Sequence, residues 1–223
     1  LAYFRLLAKT KVRHAYPHCW RCKNPVVFRA TEQWFLSVAF EDLRQRLIKA
    51  IDQVKWIPAE GRARISSMVE GRPDWCLSRQ RVWGTPIPVL FCAGCQKPVT
   101  DDNVLQAIEN EVAAHGDDFW FERWGEEITP QAWPFLPSGL SCAGCGGARF
   151  HRERDILDVW MDSGASWLAV LEPRGQAPAD LYLEGSDQHR GWFQSSLVLS
   201  VGVTSAAPYK TVLTHGFVLD EHG

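Results

Sequence analysis

The sequence predicts an α/β protein built on a parallel sheet, with a smaller cysteine-bearing subdomain inserted into it. Three observations carry that expectation. The last third reads strand, helix, strand. A four-residue cysteine turn recurs in identical form with 46 residues between its two copies. The 223 residues, 46% of them apolar, are enough to bury a sizeable core.

Element by element, residues 1–8 have helical spacing and lead into the turn Cys19-Trp20-Arg21-Cys22. Residues 25–30 and 33–38 read as strands. Residues 41–54 repeat Leu43, Leu47, Ile48 and Ile51 along one helix face, and residues 62–69 form a second short helix. Pro86 and Pro88 exclude regular helix after Trp83-Gly84-Thr85. An acidic helix is expected over residues 102–114. Residues 180–183 form a short apolar strand, after which Asp187 is placed to cap a helix running from Gln188 to about Val201. Residues 209–214 form the next strand, parallel to the first.

Composition excludes several classes. No run approaches the ~18 apolar residues of a membrane span. A net charge of −2 argues against a nucleic-acid binder that works by bulk charge. Charge is nevertheless uneven: residues 1–30 carry seven Lys/Arg and no acid, while residues 101–127 carry nine acids against Arg123 alone. A solvated face explains either run, and the basic one can also meet RNA phosphates. No signal peptide opens the chain. It starts on Leu1 and ends at Asp220-Glu221-His222-Gly223, so a piece of a longer protein is expected.

Six of the seven cysteines fall into pairs of one spacing. Two thiolates three positions apart on a tight turn can bind one tetrahedral Zn²⁺, and two such turns close a structural site. Cys92-Ala93-Gly94-Cys95 and Cys142-Ala143-Gly144-Cys145 are expected to share a zinc, the glycine easing each turn. The segment between them then forms an inserted subdomain. Cys19 and Cys22 read as half of a second metal site, or as free thiols, and Cys76 stands alone. A secreted disulfide framework is the alternative, but it belongs to smaller scaffolds.

In open parallel sheets ligands bind beyond the carboxyl ends of the strands. That rule gathers Glu184, Gly185, Asp187 and Gln188 beside His215 and Gly216 around one crevice. The glycines permit close backbone approach, the acids suit an amine or ribose hydroxyl, and a helix start suits a phosphate. A capping cluster without a ligand is the alternative.

Five motifs resemble one family. They are Tyr16-Pro17-His18-Cys19-Trp20-Arg21-Cys22, Arg72-Pro73-Asp74-Trp75-Cys76-Leu77-Ser78-Arg79-Gln80-Arg81, Asp158-Val159-Trp160-Met161-Asp162-Ser163-Gly164, the run Leu183-Glu184-Gly185-Ser186-Asp187-Gln188-His189-Arg190-Gly191-Trp192-Phe193-Gln194-Ser195-Ser196, and Leu213-Thr214-His215-Gly216-Phe217-Val218. In this order, and over nearly the whole chain, they resemble the isoleucyl-tRNA synthetases of class I. The valyl and leucyl enzymes are the nearest rivals, and resemble the chain less around Asp187-Gln188-His189-Arg190-Gly191-Trp192. Met161 stands where the family usually has Phe, a tolerated apolar exchange.

The resemblance implies the second half of a class I, Rossmann-like catalytic domain: residues 1–90 following the editing insertion, 91–150 as zinc-binding insertion, and 151–223 ending before the Lys-Met-Ser-Lys-Ser loop. Neither that loop nor the family's His-Ile-Gly-His signature occurs in the sequence. The implied reaction joins isoleucine to ATP, taken with Mg²⁺, giving isoleucyl-adenylate and pyrophosphate. Transfer to tRNA(Ile) follows. Such a step relies on positioning and charge stabilisation, with no covalent nucleophile required. By resemblance, Glu184 holds the adenylate and Asp187 and Gln188 line the aminoacyl and ribose region. Gly185, His215 and Gly216 face the nucleotide, and Trp160 and Trp192 wall the isoleucine side chain. The partners of Cys19 and Cys22 would come from before the editing insertion. A cytoplasmic monomer with no membrane contact is expected, and the chain alone is expected to be inactive. An apolar pocket separates isoleucine from valine by only ~1–3 kcal/mol, a size already known for this pair, which is why the family edits. The rival of another class is a zinc-ribbon RNA-binding module, which has no use for strand ends carrying Glu184 and His215.

Overall fold

A computed structural model describes residues 8–19, 21–122 and 128–221, so most of the helix expected over residues 1–8 lies outside the described residues. The chain divides into two compact units, residues 1–32 and 33–223.

The first unit is organised by its cysteine turn. The Cys19 carbonyl accepts from Lys23 N–H at 2.8 Å, and Cys19 N–H donates to Asn24 O at 2.8 Å. A single bridge, His18 to Pro25, closes the turn. The strand expected over residues 25–30 does not form. Val27 and Phe28 have strand-forming side chains but are exposed, and beyond the His18–Pro25 bridge the pairing ends at Val26, whose N–H donates to Pro17 O at 3.1 Å.

The second unit begins with β1 (Phe35–Leu36), a two-residue remnant of the strand expected over 33–38, paired antiparallel with β3 (Trp75–Cys76). Between them lie α1 (Leu43–Asp52), β2 (Lys55–Ile57) and α2 (Glu60–Glu70). Helix α1 buries Leu43, Leu47 and Ile51, the stripe its spacing predicts. Then follow β4 (Ser78–Arg79), β5 (Leu90–Cys92), β6 (Pro98–Val99), α3 (Asp102–His115), α4 (Phe119–Glu122), β7 (Phe150–Arg152), β8 (Ile156–Leu157) and α5 (Val159–Gly164). The last third supplies β9 (Tyr182–Gly185), α6 (Trp192–Thr204) and β10 (Thr211–His215).

The parallel sheet has the order β2–β10–β9. Strand β2 was not expected, because three residues with one buried side chain, Trp56, carry no readable alternation. It completes the sheet on the far side of β10, where Trp56 Nε1 donates to Ile51 O at 3.0 Å. Helix α6 is buried from Phe193 through Val201, as expected of a helix packed on all sides. Tyr209 lies under it and donates its hydroxyl to Phe193 O at 3.0 Å.

The cysteine-bearing segment has its own core. Strands β6, β5 and β7 form a separate antiparallel sheet, backed by a buried cluster of Trp120, Trp133, Phe119, Phe150, Ile108 and Leu136. That cluster is distinct from the one gathering α1, α2, α6 and the parallel sheet. Helix α3 starts where expected, because the Asp101 side chain accepts from Asn103 N–H and Val104 N–H.

Candidate functional site

Strands β9 and β10 end level with one another: Thr214 lies opposite Glu184 and His215 opposite Gly185. The strand-end rule therefore gathers the expected residues. The Glu184 side chain is exposed, and its carboxylate has no hydrogen-bond partner among the described residues. Gly185 is buried, and a Cβ there would stand 2.7 Å from Asp187 Oδ1 and 3.8 Å from His215 Cε1. His215 Nδ1 donates to Gly216 O at 2.6 Å.

The link between sheet and helix corrects one expectation. Asp187 does not cap a helix that begins at Gln188. A 3-10 turn occupies Ser186–His189, and α6 starts only at Trp192, with Gly191 as its N-cap residue. The capping oxygen comes from Gln188 instead: its Oε1 accepts the Trp192 N–H at 2.8 Å, while its Nε2 donates to Asp187 Oδ2 at 2.9 Å. Asp187 is thereby held at the strand ends rather than spent on the helix. Under the turn, His189 is only 1% exposed. Its Nδ1 donates to Ser186 O at 2.8 Å, and its ring stacks on Trp56 at 5.9 Å. Burial pushes its pKa below the usual histidine value, aided by Arg64 and opposed by the Ser186 carbonyl and Asp187.

Trp160 packs against Gly191, the residue before Trp192. A Cβ at this glycine would come within 2.8 Å of the Trp160 ring and 2.4 Å of Gln188 Oε1, so the absence of a side chain lets the indole lie against the backbone. Trp160 keeps 41% of its surface exposed. Trp192 stacks on Tyr182 with centroids 3.9 Å apart, and its Nε1 donates to Ser163 O at 2.9 Å. One tryptophan is thus locked and the other faces outward beside it.

The second constellation is the cysteine cluster. The sulfurs of Cys92, Cys95, Cys142 and Cys145 all lie within 4.8 Å of one another. The Cys92–Cys145 and Cys95–Cys142 pairs are each 3.5 Å apart. A tetrahedron with ~2.3 Å metal–sulfur bonds needs edges of about 3.8 Å. These four thiols therefore have the dimensions of a metal site. The N–H groups of Cys95 and Gly94 pull the Cys92 thiol down to about 6. Cys145 is drawn down by the Gly147 N–H, yet its bonds to Cys92 and Cys95 push it up to about 12. Crowded thiols cannot all ionise without a cation among them.

All three cysteine turns share one geometry. The N–H after the second cysteine returns to the first cysteine's carbonyl (Lys23 to Cys19, Gln96 to Cys92, Gly146 to Cys142), at 2.7–2.9 Å. Lys23, Gln96 and Gly146 accordingly adopt positive φ, of 61°, 59° and 73°. The left-handed position follows the knuckle, so the glycines inside it are not what makes the turn. Backbone N–H groups of Cys22 and Arg21 also pull the Cys19 thiol down. Cys19 and Cys22 thus have the form of half a metal site, although the four-cysteine cluster is the one group of three or more convergent ligands among the described residues.

The model of tRNA synthetases class I (I, L, M and V) matches residues 11–223. The chain belongs to the class I tRNA synthetases. It is 55% identical over 98% of its length to an isoleucine–tRNA ligase of Caldanaerobacter subterraneus subsp. tengcongensis, covering 22% of that protein. Against those of Aquifex pyrophilus and Desulfovibrio desulfuricans the identities are 54% and 56%, again over 98% of this chain and over 41% and 23% of the relatives. The synthetase chain therefore spans about a fifth to two-fifths of the length of these curated relatives. Among solved structures, the LeuRS of Agrobacterium radiobacter K84 in its ternary complex with tRNA and LeuAMS is similar at 21% identity and a TM-score of 0.42, over 68% of this chain and 21% of that one.

Among the described residues of this synthetase chain, no helix is long and apolar enough to cross a membrane. Within the acidic run, Asp101 and Asp102 serve the start of α3. Sequence reasoning missed a cavity of about 690 Å³ between Arg79, Arg81, Trp83, Asp117 and Asp158. It also missed the part played by Asp158, whose position just before a short helix was the available signal.

Proposed function

We propose that this chain is the part of an isoleucine–tRNA ligase catalytic domain that receives isoleucyl-adenylate, comprising segments 1–90 and 151–223, with 91–150 a zinc-binding insertion. The observation that carries the reading is the level ending of two parallel strands, with Glu184-Gly185 beside His215-Gly216, in a chain 54–56% identical to isoleucine–tRNA ligases. The ligase joins isoleucine to ATP with Mg²⁺ and passes the acyl group to tRNA(Ile).

Each residue has a part in this chemistry. Glu184 accepts a hydrogen bond from the bound adenylate, and Gly185 lets the ligand approach the backbone. Asp187 and Gln188, oriented by their mutual bond, receive the amine and ribose groups. His215 and Gly216 border the nucleotide. Trp160 and Trp192 enclose the isoleucine side chain and exclude water, which strengthens every charge interaction beside them. Cys92, Cys95, Cys142 and Cys145 hold one structural Zn²⁺, which supplies folding energy to residues 91–150 rather than chemistry to the reaction. Cys19 and Cys22 supply two ligands of a second zinc. The enzyme works as a cytoplasmic monomer, with activity residing in the full-length protein.

Binding of non-hydrolysable aminoacyl-adenylate analogues to the full-length enzyme tests the assignment. The isoleucyl analogue is expected to bind about 10–200-fold more tightly than the valyl one. Tighter binding of the leucyl or valyl analogue would overturn it.

A further inference from the structure

The outward tryptophan of the candidate pocket is placed by a residue that the proposed reaction does not itself use. Asp158 is 6% exposed and sits at the junction of three elements. One carboxylate oxygen, Oδ1, accepts the Trp160 N–H at 3.2 Å, capping α5. The other, Oδ2, accepts from Trp75 Nε1 at 2.9 Å and from Arg79 Nη2 at 2.8 Å. Its own N–H donates to Leu77 O at 2.6 Å, tying the turn before α5 to the chain between β3 and β4.

This arrangement fixes α5 at both ends. At its far end Gly164 lies so close to α6 that a Cβ would stand 2.9 Å from Leu199 Cδ1 and 3.0 Å from the Ser195 backbone. Ser163 O there accepts the Trp192 indole N–H. At its near end the Asp158 oxygen accepts the Trp160 N–H and the Asp158 carbonyl accepts the Met161 N–H at 2.7 Å, while Ser163 Oγ reaches back to the Val159 and Trp160 carbonyls at 3.4 Å. Helical backbone runs on from α5 through Ala165 and Ser166 into Trp167–Leu171, so the free end is the first turn, whose exposed N–H groups depend on that cap. Trp160 is the second residue of this turn, and its ring rests on the backbone of Gly191. Any rotation of the first turn carries the indole away from Gly191 and from Trp192.

We infer that Asp158 is a positioning residue for the isoleucine side chain: through the Trp160 N–H it sets the distance between Trp160 and Trp192, and so sets amino-acid selectivity. Arg79 and Trp75 hold the carboxylate in place for that task. The inference rests on the reading of Trp160 as a pocket wall.

The test uses isoleucine-dependent ATP–pyrophosphate exchange by the full-length enzyme, which needs no tRNA, with melting curves alongside. Asp158→Ala is expected to raise KM for isoleucine by about tenfold, an amount matching loss of one well-placed wall contact, while KM for ATP changes less than about threefold. The preference for isoleucine over valine should fall with it. Asp158→Ser keeps a capping oxygen but cannot reach Arg79 and Trp75. It should lower the melting midpoint yet return KM for isoleucine to within about threefold of the parent value. Equal rises in both KM values, or a serine variant that melts lower and does not recover isoleucine binding, would overturn the inference. If the alanine variant does not fold, the serine variant alone decides on the same criteria. Trp160→Ala separates the two levels. Unchanged isoleucine binding in that variant means the pocket reading fails, whereas a loss there with a silent Asp158→Ala means only the positioning role fails.

Discussion

Replacing Glu184 by alanine in the full-length enzyme separates a ligand-facing acid from a structural one. The carboxylate projects from the end of β9, exposed and without a hydrogen-bond partner among the described residues. The competing role, capping the next helix, is already filled: the 3-10 turn and α6 start at Gly185 and Gly191 with no cap from an acid, and Gln188 serves the first N–H of α6. A charge-assisted hydrogen bond contributes about 1.5–3 kcal/mol, and a carboxylate that starts in water falls at the low end of that range. A loss of about 1.5 kcal/mol is roughly tenfold in Kd. Stability should move by less than about 0.5 kcal/mol, as for a surface substitution that removes no packing. Calorimetric titration with an isoleucyl-adenylate analogue, read beside a melting curve, reports both quantities. Unchanged affinity with a lowered midpoint would refute the reasoning.

Metal analysis of the Cys92→Ser variant is expected to find about one zinc fewer than in the parent, and chelation of the parent should expose the Trp120 and Trp133 core to quencher; parent protein without zinc would count against the site. The buried His189 gives a pH signature. Its folded pKa is depressed, so the unfolded chain takes up the proton first, and its contribution is present above the unfolded value of ~6.5 and lost as pH falls through it. The melting midpoint should therefore drop more steeply below pH 6.5 in the parent than in His189→Gln; parallel pH profiles would dismiss a buried neutral imidazole.

What the sequence made legible had local causes. The cysteine turns follow from a four-residue spacing, and all three fold with one hydrogen-bond pattern. Helix α1 follows from a stripe of leucine and isoleucine, and α3 from Asp101 before an amphipathic run. The strand ends bearing Glu184 and His215 were legible because a parallel pair joined by one helix leaves little freedom of register. The strand expected over residues 25–30 failed for the opposite reason. A strand is made by its partner, and apolar side chains alone do not supply one.

The rest of the candidate site depends on contacts with no period in the sequence. Gln188 takes the capping role expected of Asp187 because its longer side chain reaches the Trp192 N–H across a 3-10 turn, and only a folded backbone reveals that reach. Asp158 collects donors from positions 75, 79 and 160, so its importance is spread over 85 residues of chain. The strand ends can thus be read as a crevice from local pattern, while the proposed amino-acid pocket depends on side chains bonded across elements. Selectivity is expected to be more fragile than binding: a substitution at Asp158 leaves the strand ends intact and moves the tryptophan wall, whereas one at Gly191 also displaces Gln188.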